Sequence, residues 1–392
     1  MVPSMDSRRK SEWQLTRDIF GPLWQFVADD SVTDIDWDGD SLWIEYAGGR
    51  KECVCQEGID ARFVDNFTQY VANHVARPFN QVENTLSAET ETLRITVVHE
   101  SLATSGRCFS IRKSMPKLRF GALQAVEEGY CPEAFLHFLV NCVAIRCNFA
   151  FCGEPGHGKT ECAKFLSTFI APTDKVITVE DTLEWHYKKI NPGKRADEIK
   201  IGSEEEYPKA IKVALRLNPT WLMLSEARST EVQYLVEGWS TGVHGMTTIH
   251  TSDVRKIPDR VVNMMGQGIE SERMVNNIYT HLDLGILLER TTDSNGRMQR
   301  KITQAAIFER QGDRNVCTLL MENGVFMKSA IPESILFRMK KAGIRNACSS
   351  ALLQERFRQE KMGNFYGMEE QAGWEITSGS IRAVAEEVSG IY

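Results

Sequence analysis

The segment from Gly153 to Thr160 limits what this 392-residue chain can fold into more than any other segment does. Its sequence, GEPGHGKT, fits the pattern G-x-x-x-x-G-K-[ST] at every position. In this pattern glycines let successive backbone N–H groups turn toward the α and β phosphates of a nucleotide, the lysine reaches the β and γ phosphates, and the threonine hydroxyl ligates Mg²⁺. The segment therefore predicts a site for ATP and Mg²⁺, whose nucleotide-binding residues are Glu154, Pro155, Gly156, His157, Gly158, Lys159, Thr160 and Glu161.

The residues around this loop have the pattern that a phosphate-binding loop requires. Residues 148–152 are a short apolar run typical of a strand, and Cys162, Phe165 and Phe169 recur after the loop at helical spacing. A glycine-rich turn without a ligand would need neither neighbour. The context therefore favours a phosphate-binding loop between a strand and a helix.

Further strand-like runs follow at residues 175–179, 221–225 and 246–250, with helical segments between most of them. This alternation predicts an α/β fold with a parallel sheet covered by helices. Residues 282–290 and 301–310 flank Asp293-Ser294-Asn295-Gly296, which predicts a hairpin at the sheet edge. From residue 332 onward the sequence is mostly helical and carries no chemical motif.

The first part of the chain has a different pattern. Residues 35–55 alternate around a Gly48-Gly49 turn, which predicts paired strands, and residues 93–98 and 108–112 are β-like. Between them, residues 59–76 predict a helix whose apolar stripe includes Phe63, Phe67, Tyr70 and Val71. Because Pro116 breaks the pattern, we expect an α+β domain over 1–113, a linker over 114–122, a P-loop domain over 123–330 and a helical region over 331–392.

Charge and hydropathy exclude several classes of protein. The formal net charge of −7 argues against a broad nucleic-acid-binding face, so no direct sequence-specific nucleic-acid binding is expected. The most apolar stretch, residues 135–152, is interrupted by polar residues, so no transmembrane segment is predicted. The N-terminus has no apolar core typical of export, and we therefore expect a cytoplasmic protein whose ten cysteines are mostly buried thiols.

Hydrolysis needs an acid near Mg²⁺ and a group that orients the attacking water. Glu226 ends the apolar run 221–226, Glu180 ends the run 176–180, and His250 ends the run 246–250. Each has a structural alternative: a core strand with a solvated end, a solvated acidic turn that includes Asp181 and Glu184, and a structural histidine. The P-loop upstream favours the catalytic interpretation for Glu226. The carboxyl ends of parallel strands are where open α/β sheets bind ligands, which keeps the catalytic interpretation of Glu180 open beside the solvated turn. A lone histidine at a strand end is more often structural, so both interpretations of His250 stay open at this point.

Four ordered segments together resemble a known family, the ATPases of type II and type IV secretion, which include pilus retraction and conjugative transfer members. Residues 153–160 resemble their Walker A loop, 177–184 their aspartate box, 215–228 their Walker B segment and 241–251 their histidine box. The resemblance covers roughly residues 30–310. Ser225 stands where the family usually has glycine, Thr220 replaces an aspartate, and the first histidine, His244, comes one place late, whereas His250 keeps its spacing.

The resemblance implies a RecA-like P-loop ATPase domain preceded by a smaller α+β, PAS-like domain, assembled as a homohexamer. It also implies that the first domain closes on the nucleotide and supplies arginines to the phosphates. Arg107 and Arg112 match that role, with Arg94 as a further candidate and surface arginines as the alternative. Glu180 and Glu226 would divide water activation and the metal shell, Thr160 and Glu226 would ligate the metal, and His250 would sense phosphate.

Within the family, the assembly ATPases of type II systems often carry a zinc module with two CxxC pairs, and this sequence has none. The chain looks most like type IVB secretion ATPases and their relatives from conjugative plasmids; a pilus retraction ATPase is the alternative. The implied partners are inner-membrane proteins of the secretion, conjugation or pilus machinery, with the ATPase docked peripherally on the cytoplasmic side. Two other classes remain open at this stage, a nucleotide-sensing module without turnover and a nucleic-acid translocase.

Overall fold

The computed structural model describes residues 17–366, apart from residues 48, 56, 230, 266–270 and 293–297. The chain divides into two compact units. The first comprises the residues up to Pro116 together with 182–184 and 292–299, and the second comprises the remainder from Lys117. The predicted turn at 293–296 lies outside the described residues, and the predicted limits of the linker and of the C-terminal region stay predictions.

The first unit contains a six-stranded antiparallel sheet in the order β3-β2-β1-β6-β5-β4. Its strands are β1 Val32–Trp37, β2 Leu42–Tyr46, β3 Lys51–Val54, β4 Thr85–Glu89, β5 Leu93–Val98 and β6 Cys108–Lys113. Its helices are α1 Arg17–Phe20, α2 Trp24–Ala28 and α3 Ala61–His74. The paired strands and the helix between them confirm the α+β character predicted for this part of the chain.

Helix α3 begins where Asp60 accepts a hydrogen bond from the Phe63 N–H through its side chain, at 2.7 Å. Its buried face carries Val64, Phe67 and Val71, which pack into the core of the first unit. Tyr70 was predicted on that face, but it is 47% exposed. The prediction was wrong because Tyr70 lies about 100° around the helix from Val71, on the side that faces solvent.

The second unit contains a nine-stranded sheet in the order β15-β14-β13-β12-β7-β11-β10-β8-β9. Its strands are β7 Phe149–Cys152, β8 Val176–Glu180, β9 Ala196–Lys200, β10 Trp221–Ala227, β11 His244–Ile249, β12 Leu284–Thr292, β13 Met298–Gln311, β14 Arg314–Glu322 and β15 Val325–Phe326. Its helices are α4 Ala122–Glu127, α5 Glu133–Ala144, α6 Lys159–Ser167, α7 Tyr187–Ile190, α8 Tyr207–Arg216, α9 Glu231–Ser240, α10 Ile257–Met264, α11 Ser271–His281, α12 Glu333–Lys341 and α13 Ala351–Tyr366.

Six strands of this sheet, from β12 to β9 in sheet order, run parallel. The four predicted strands at 148–152, 175–179, 221–225 and 246–250 correspond to β7, β8, β10 and β11, which confirms the α/β prediction. β9 was not predicted, because its sequence ADEIK is polar and it lies at the sheet edge. Parallel alignment brings the carboxyl ends of all six strands to one edge of the sheet.

The central strands are apolar on both faces because the sheet separates two cores. Phe149 and Phe151 of β7 point into one core, and Ala150 and Cys152 point into the other. The most apolar stretch of the sequence, 135–152, supplies α5 and β7, and its apolar side chains are buried there. No helix among the described residues is long and apolar enough to span a bilayer.

We expect Leu222→Ala to lower the free energy of unfolding by about 2–5 kcal/mol, because it opens a cavity in a fully buried strand. Leu336→Ala on α12 is the matched control, since that leucine is 42% exposed and its truncation should change the free energy by less than about 1 kcal/mol. Urea unfolding followed by tryptophan fluorescence measures both. Equal losses for the two variants would contradict the assignment of Leu222 to the core.

Candidate functional site

The carboxyl edge of the parallel sheet carries the predicted phosphate-binding loop and three further residues predicted from the sequence. The loop that starts at Gly153 follows β7, His250 follows β11, and Glu226 and Glu180 lie near the ends of β10 and β8. β11 lies between β7 and β10, so the Walker B strand is not the direct neighbour of the P-loop strand. β11, the strand of the histidine box, pairs with both β7 and β10 and is therefore the direct neighbour of the P-loop strand.

The loop wraps around the ammonium group of Lys159. Gly153 has φ of 141°, a backbone conformation that favours glycine, and a Cβ there would lie 2.4 Å from the carbonyl oxygen of Leu288. Lys159 begins α6, and its Nζ donates to the carbonyl oxygens of Gly153 and Glu154, both at 3.0 Å. The ammonium is thus buried inside the loop, where its hydrogen bonds can be transferred from carbonyl to phosphate oxygens.

His250 connects this lysine to the Walker B acid. Its Nε2 lies 2.6 Å from Glu226 Oε1. Its Nδ1 lies 3.3 Å from Lys159 Nζ and 3.2 Å from the Gly153 carbonyl oxygen. In the tautomer that carries its proton on Nε2, the ring donates to Glu226 and accepts from Lys159 at Nδ1. The predicted histidine therefore joins the P-loop and Glu226 in one hydrogen-bonded group.

Glu226 occupies an irregular position in its strand. The pairing of β10 with β11 shifts between Leu224 and Ala227, so three steps along β10 match two along β11. This bulge re-aims the side chains within it. The Thr248 hydroxyl donates to the Ser225 carbonyl oxygen at 2.7 Å and holds the bulge in place. Ser225 does not have positive φ, which explains why serine is accommodated where the family usually has glycine.

Arg228 extends the group and was not among the predicted site residues. Its Nη2 lies 2.7 Å from Glu226 Oε2, and its Nη1 donates to Asp181 Oδ2 at 3.1 Å. Burial lowers the pKa of Arg228, but the hydrogen bond and charge of Glu226 outweigh burial and hold that pKa above its usual value. Arg228 lies just past the end of β10, and the signal in the sequence is that it follows Glu226 by only two residues.

Glu180 is the last residue of β8, the strand next to β10, and it is almost fully buried. Its Oε2 accepts a hydrogen bond from the backbone N–H of Trp185 at 2.9 Å. That bond fixes the turn that follows β8. The register of β8 and β10 pairs Val179 with Leu224, so Glu180 is at the same edge as Glu226.

The two histidines of the histidine box lie at opposite ends of β11. His244 is the first residue of the strand, its ring lies 5.8 Å from that of Trp221, and burial lowers its pKa. His250 follows the last residue of the strand and reaches the P-loop. His250 rather than His244 therefore lies at the P-loop, and the functional preference for His250 stays a prediction.

The remaining predicted residues have other partners in the structure. Glu161 accepts from the buried Lys164 Nζ at 2.9 Å. Arg107 pairs with Glu100 at 2.8 Å and Asp65 at 3.0 Å within the first unit, and Arg112 pairs with Asp34 at 2.9 Å in that unit. These contacts stabilise the first unit. The phosphate-binding roles of both arginines, and the nucleotide contact of Glu161, stay predictions.

The far end of α6 is held by cations. Lys194 Nζ donates to the carbonyl oxygens of Thr168 and Ile170 at 2.6 and 2.8 Å, and Arg356 of α13 donates to the Thr168 hydroxyl at 3.3 Å. Positive charge near a helix C-terminus is stabilising, because that end of the helix dipole is negative. Burial, with a smaller contribution from Arg356 and an opposing one from Asp174, lowers the pKa of Lys194 to about 7.

Comparison with known proteins follows this geometry. The family model described as "Type II/IV secretion system protein" matches residues 81–369. An uncharacterised protein of Bacillus anthracis is 27% identical over 324 residues, covering 80% of this chain and 73% of that protein. The conjugal transfer protein TrbB of Rhizobium radiobacter is 26% identical over 202 residues, covering 50% of this chain and 60% of its own length.

The fold is also that of a solved ATPase. The X-ray structure of the Legionella pneumophila ATPase DotB superposes with a TM-score of 0.51 at 15% sequence identity, covering 97% of this chain and 98% of DotB. At that identity the likeness concerns the fold. The predicted arrangement, a RecA-like P-loop domain preceded by a smaller α+β domain, is confirmed.

Lys194 should make the stability of this protein depend on pH. Because its pKa is lower in the folded than in the unfolded chain, the unfolded chain binds more protons between about pH 7 and 10, and stability rises with pH across that range. Relative to Lys194→Met, the wild type should gain about 2 kcal/mol of unfolding free energy between pH 7 and pH 9. Urea unfolding at the two pH values measures the gain.

Groups that titrate in both the wild type and Lys194→Met, including the buried thiols, contribute equally to the two pH dependences and cancel in the difference. Lys188→Met, which removes an exposed lysine of α7, is the control and should behave as the wild type does. If Lys194→Met shows the same pH dependence as the wild type, the folded lysine is not perturbed.

Proposed function

Because this chain belongs to the type II/IV secretion system protein family, we propose that its second unit binds and hydrolyses ATP and that hydrolysis powers a type IV secretion or conjugative transfer machine. The observation that carries the proposal is the continuous group of Lys159, His250, Glu226 and Arg228, with contacts of 3.3, 2.6 and 2.7 Å. This group joins the phosphate-binding loop to the carboxylate of Glu226, which lies on β10 at the same edge of the sheet. That combination is what separates hydrolysis from binding alone.

The loop binds the phosphates in this proposal. Lys159 exchanges the carbonyl oxygens of Gly153 and Glu154 for oxygens of the β and γ phosphates, and the N–H groups at the start of α6 face the same anion. The positive end of the helix dipole adds to this attraction. Because Lys159 is buried and already desolvated, little of its binding energy is lost in removing water.

The chain carries oxygen donors suited to Mg²⁺, a hard cation that prefers carboxylate and hydroxyl ligands. Thr160, the second residue of α6, and Glu226 are the residues that would hold it. When bound, Mg²⁺ neutralises charge that develops on the β and γ phosphates.

Glu180 and Glu226 divide two tasks, holding the metal's shell and accepting a proton from the attacking water. The water oxygen bonds to the γ phosphorus as the bond between that phosphorus and the bridging oxygen of ADP breaks. The proton of the water moves to the carboxylate. The products are ADP and phosphate. His250 links Lys159 to Glu226, so a change at the phosphates is transmitted to the carboxylate. We assign phosphate sensing to His250 on this contact.

The machine to which the chain belongs is the broader part of the proposal. TrbB, named as a conjugal transfer protein, supports conjugation or type IV secretion over pilus retraction. We propose a homohexamer docked on inner-membrane proteins of such a machine. Mass photometry of the purified chain with and without ATP tests the hexamer, and a monomer under both conditions contradicts it.

We expect Lys159→Ala to reduce ATP turnover at least about a hundredfold, because in the proposal the ammonium binds both the β and the γ phosphate. A phosphate-release assay measures this. Lys209→Ala, an exposed lysine on α8, is the matched control and should turn over ATP as the wild type does. Near-normal turnover by Lys159→Ala would overturn the proposal, and stimulation of wild-type turnover by single-stranded DNA would support a nucleic-acid translocase instead.

Glutamine variants separate the two acids. If one acid belongs to the metal's shell, its Gln variant needs a higher Mg²⁺ concentration for half-maximal turnover; if it accepts the proton, its variant lowers kcat by about 10²–10⁴ at unchanged Mg²⁺ requirement. We expect Glu180→Gln and Glu226→Gln to fall into these different classes. Glu237→Gln on α9 is the control, and wild-type turnover by Glu226→Gln would exclude that residue from both roles.

A further inference from the structure

The outer side of the phosphate-binding loop is contacted by two arginines that no motif includes. Arg290 of β12 and Arg300 of β13 each donate from Nε to the carbonyl oxygen of Gly156, at 3.2 and 3.0 Å. The two strands are neighbours in the sheet, and both arginines are half-buried. One backbone oxygen, with two lone pairs, therefore accepts from two guanidinium groups.

The glycines of the loop leave room for these side chains. A Cβ on Gly156 would lie 2.5 Å from Arg290 Nη2, and a Cβ on Gly158 would lie 3.0 Å from Arg300 Cδ. The loop motif requires glycine at 158 but accepts any residue at 156. The glycine at 156 is thus explained by its φ of 75° rather than by the motif, and the absence of a side chain there leaves the space that the end of Arg290 occupies.

The shared carbonyl determines where the next N–H group points. A trans peptide is planar, so the N–H of His157 points opposite to the C=O of Gly156. That N–H donates to the Glu154 carbonyl oxygen at 3.3 Å, the same oxygen that accepts from Lys159 Nζ. The arginines therefore lie on one side of this peptide, and the N–H lies on the side where Lys159 binds phosphate in the proposed function.

We propose that Arg290 and Arg300 are positioning residues for the nucleotide: they fix the Gly156–His157 peptide so that its N–H faces the β phosphate. The proposal rests on the proposed function, because it takes the Lys159 side of the loop as the phosphate side. Hydrogen bonds from charged donors are about twice as strong as neutral ones, which suits them to hold a loop of glycines in one conformation. Neither arginine touches phosphate in this proposal.

The experiment is the affinity for ADP with Mg²⁺, measured by calorimetry, for Arg290→Gln, Arg300→Gln and the double variant. Because the two donors share one acceptor, either alone keeps most of the constraint, and each single variant should raise Kd about threefold. The double variant should raise Kd about thirtyfold or more, beyond the product of the single effects. The KM for ATP should rise in parallel with the Kd for ADP. The kcat should stay within about twofold of the wild-type value, since the reacting groups are intact.

Two further variants distinguish positioning from general positive charge. Arg310→Gln, on the same strand but paired with Asn315, is the control and should bind ADP as the wild type does. The double Lys variant, Arg290→Lys with Arg300→Lys, keeps the charge but loses the guanidinium Nε–H, so it should bind nearly as weakly as the double Gln variant. Full affinity of the double Lys variant would overturn positioning by hydrogen bonds.

Unchanged ADP affinity in the double Gln variant, with normal binding by the wild type, would overturn this inference and leave the proposed function intact. Failure of the wild type and of Arg310→Gln to bind ADP would instead refute the proposed function, and the positioning role with it. Circular dichroism of each variant without nucleotide is expected to match the wild type, and a folded double variant with weak ADP binding supports the role.

Discussion

The site depends on one row of hydrogen-bonded and ion-paired side chains that crosses the carboxyl edge of the sheet. Lys159, His250, Glu226, Arg228 and Asp181 follow one another with contacts of 3.3, 2.6, 2.7 and 3.1 Å. They come from α6, β11, β10 and the end of β8, in the order of those strands in the sheet. A partly buried charge is costly unless it is paired, so removing one member leaves its neighbours uncompensated. The row therefore binds four elements into one unit as well as preparing the chemistry.

Much of this row could be predicted from the sequence because its members are placed by strands. Glu226 and His250 each end an apolar run, Asp181 directly follows another, and parallel strands bring such ends to one edge. The order of the strands could not be predicted in the same way, since any of several strands could have paired with β7. The insertion of β11 between β7 and β10 is what makes the histidine, rather than the acid, the direct neighbour of Lys159.

Other features escaped prediction for physical reasons of their own. Arg290 and Arg300 lie more than a hundred residues after the loop they contact, and no local spacing connects an arginine on a strand to a distant carbonyl group. β9 has the composition of a loop because an edge strand needs little apolar surface. Tyr70 was misassigned because a helical stripe read from the sequence is wider than the face that packs.

The loop is held from both sides, and the two sides act differently on binding. Inside, Lys159 bonds to the loop's own carbonyl oxygens, contacts that phosphate must replace. Outside, Arg290 and Arg300 donate to the carbonyl oxygen of Gly156, on the opposite side of the peptide from the His157 N–H. In our proposal these two hydrogen bonds persist when phosphate binds. Only interactions that persist reduce the conformational entropy lost on binding, because they order the loop beforehand. By this proposal, strands outside the motif supply the outer contacts that order a loop of three glycines before the nucleotide binds.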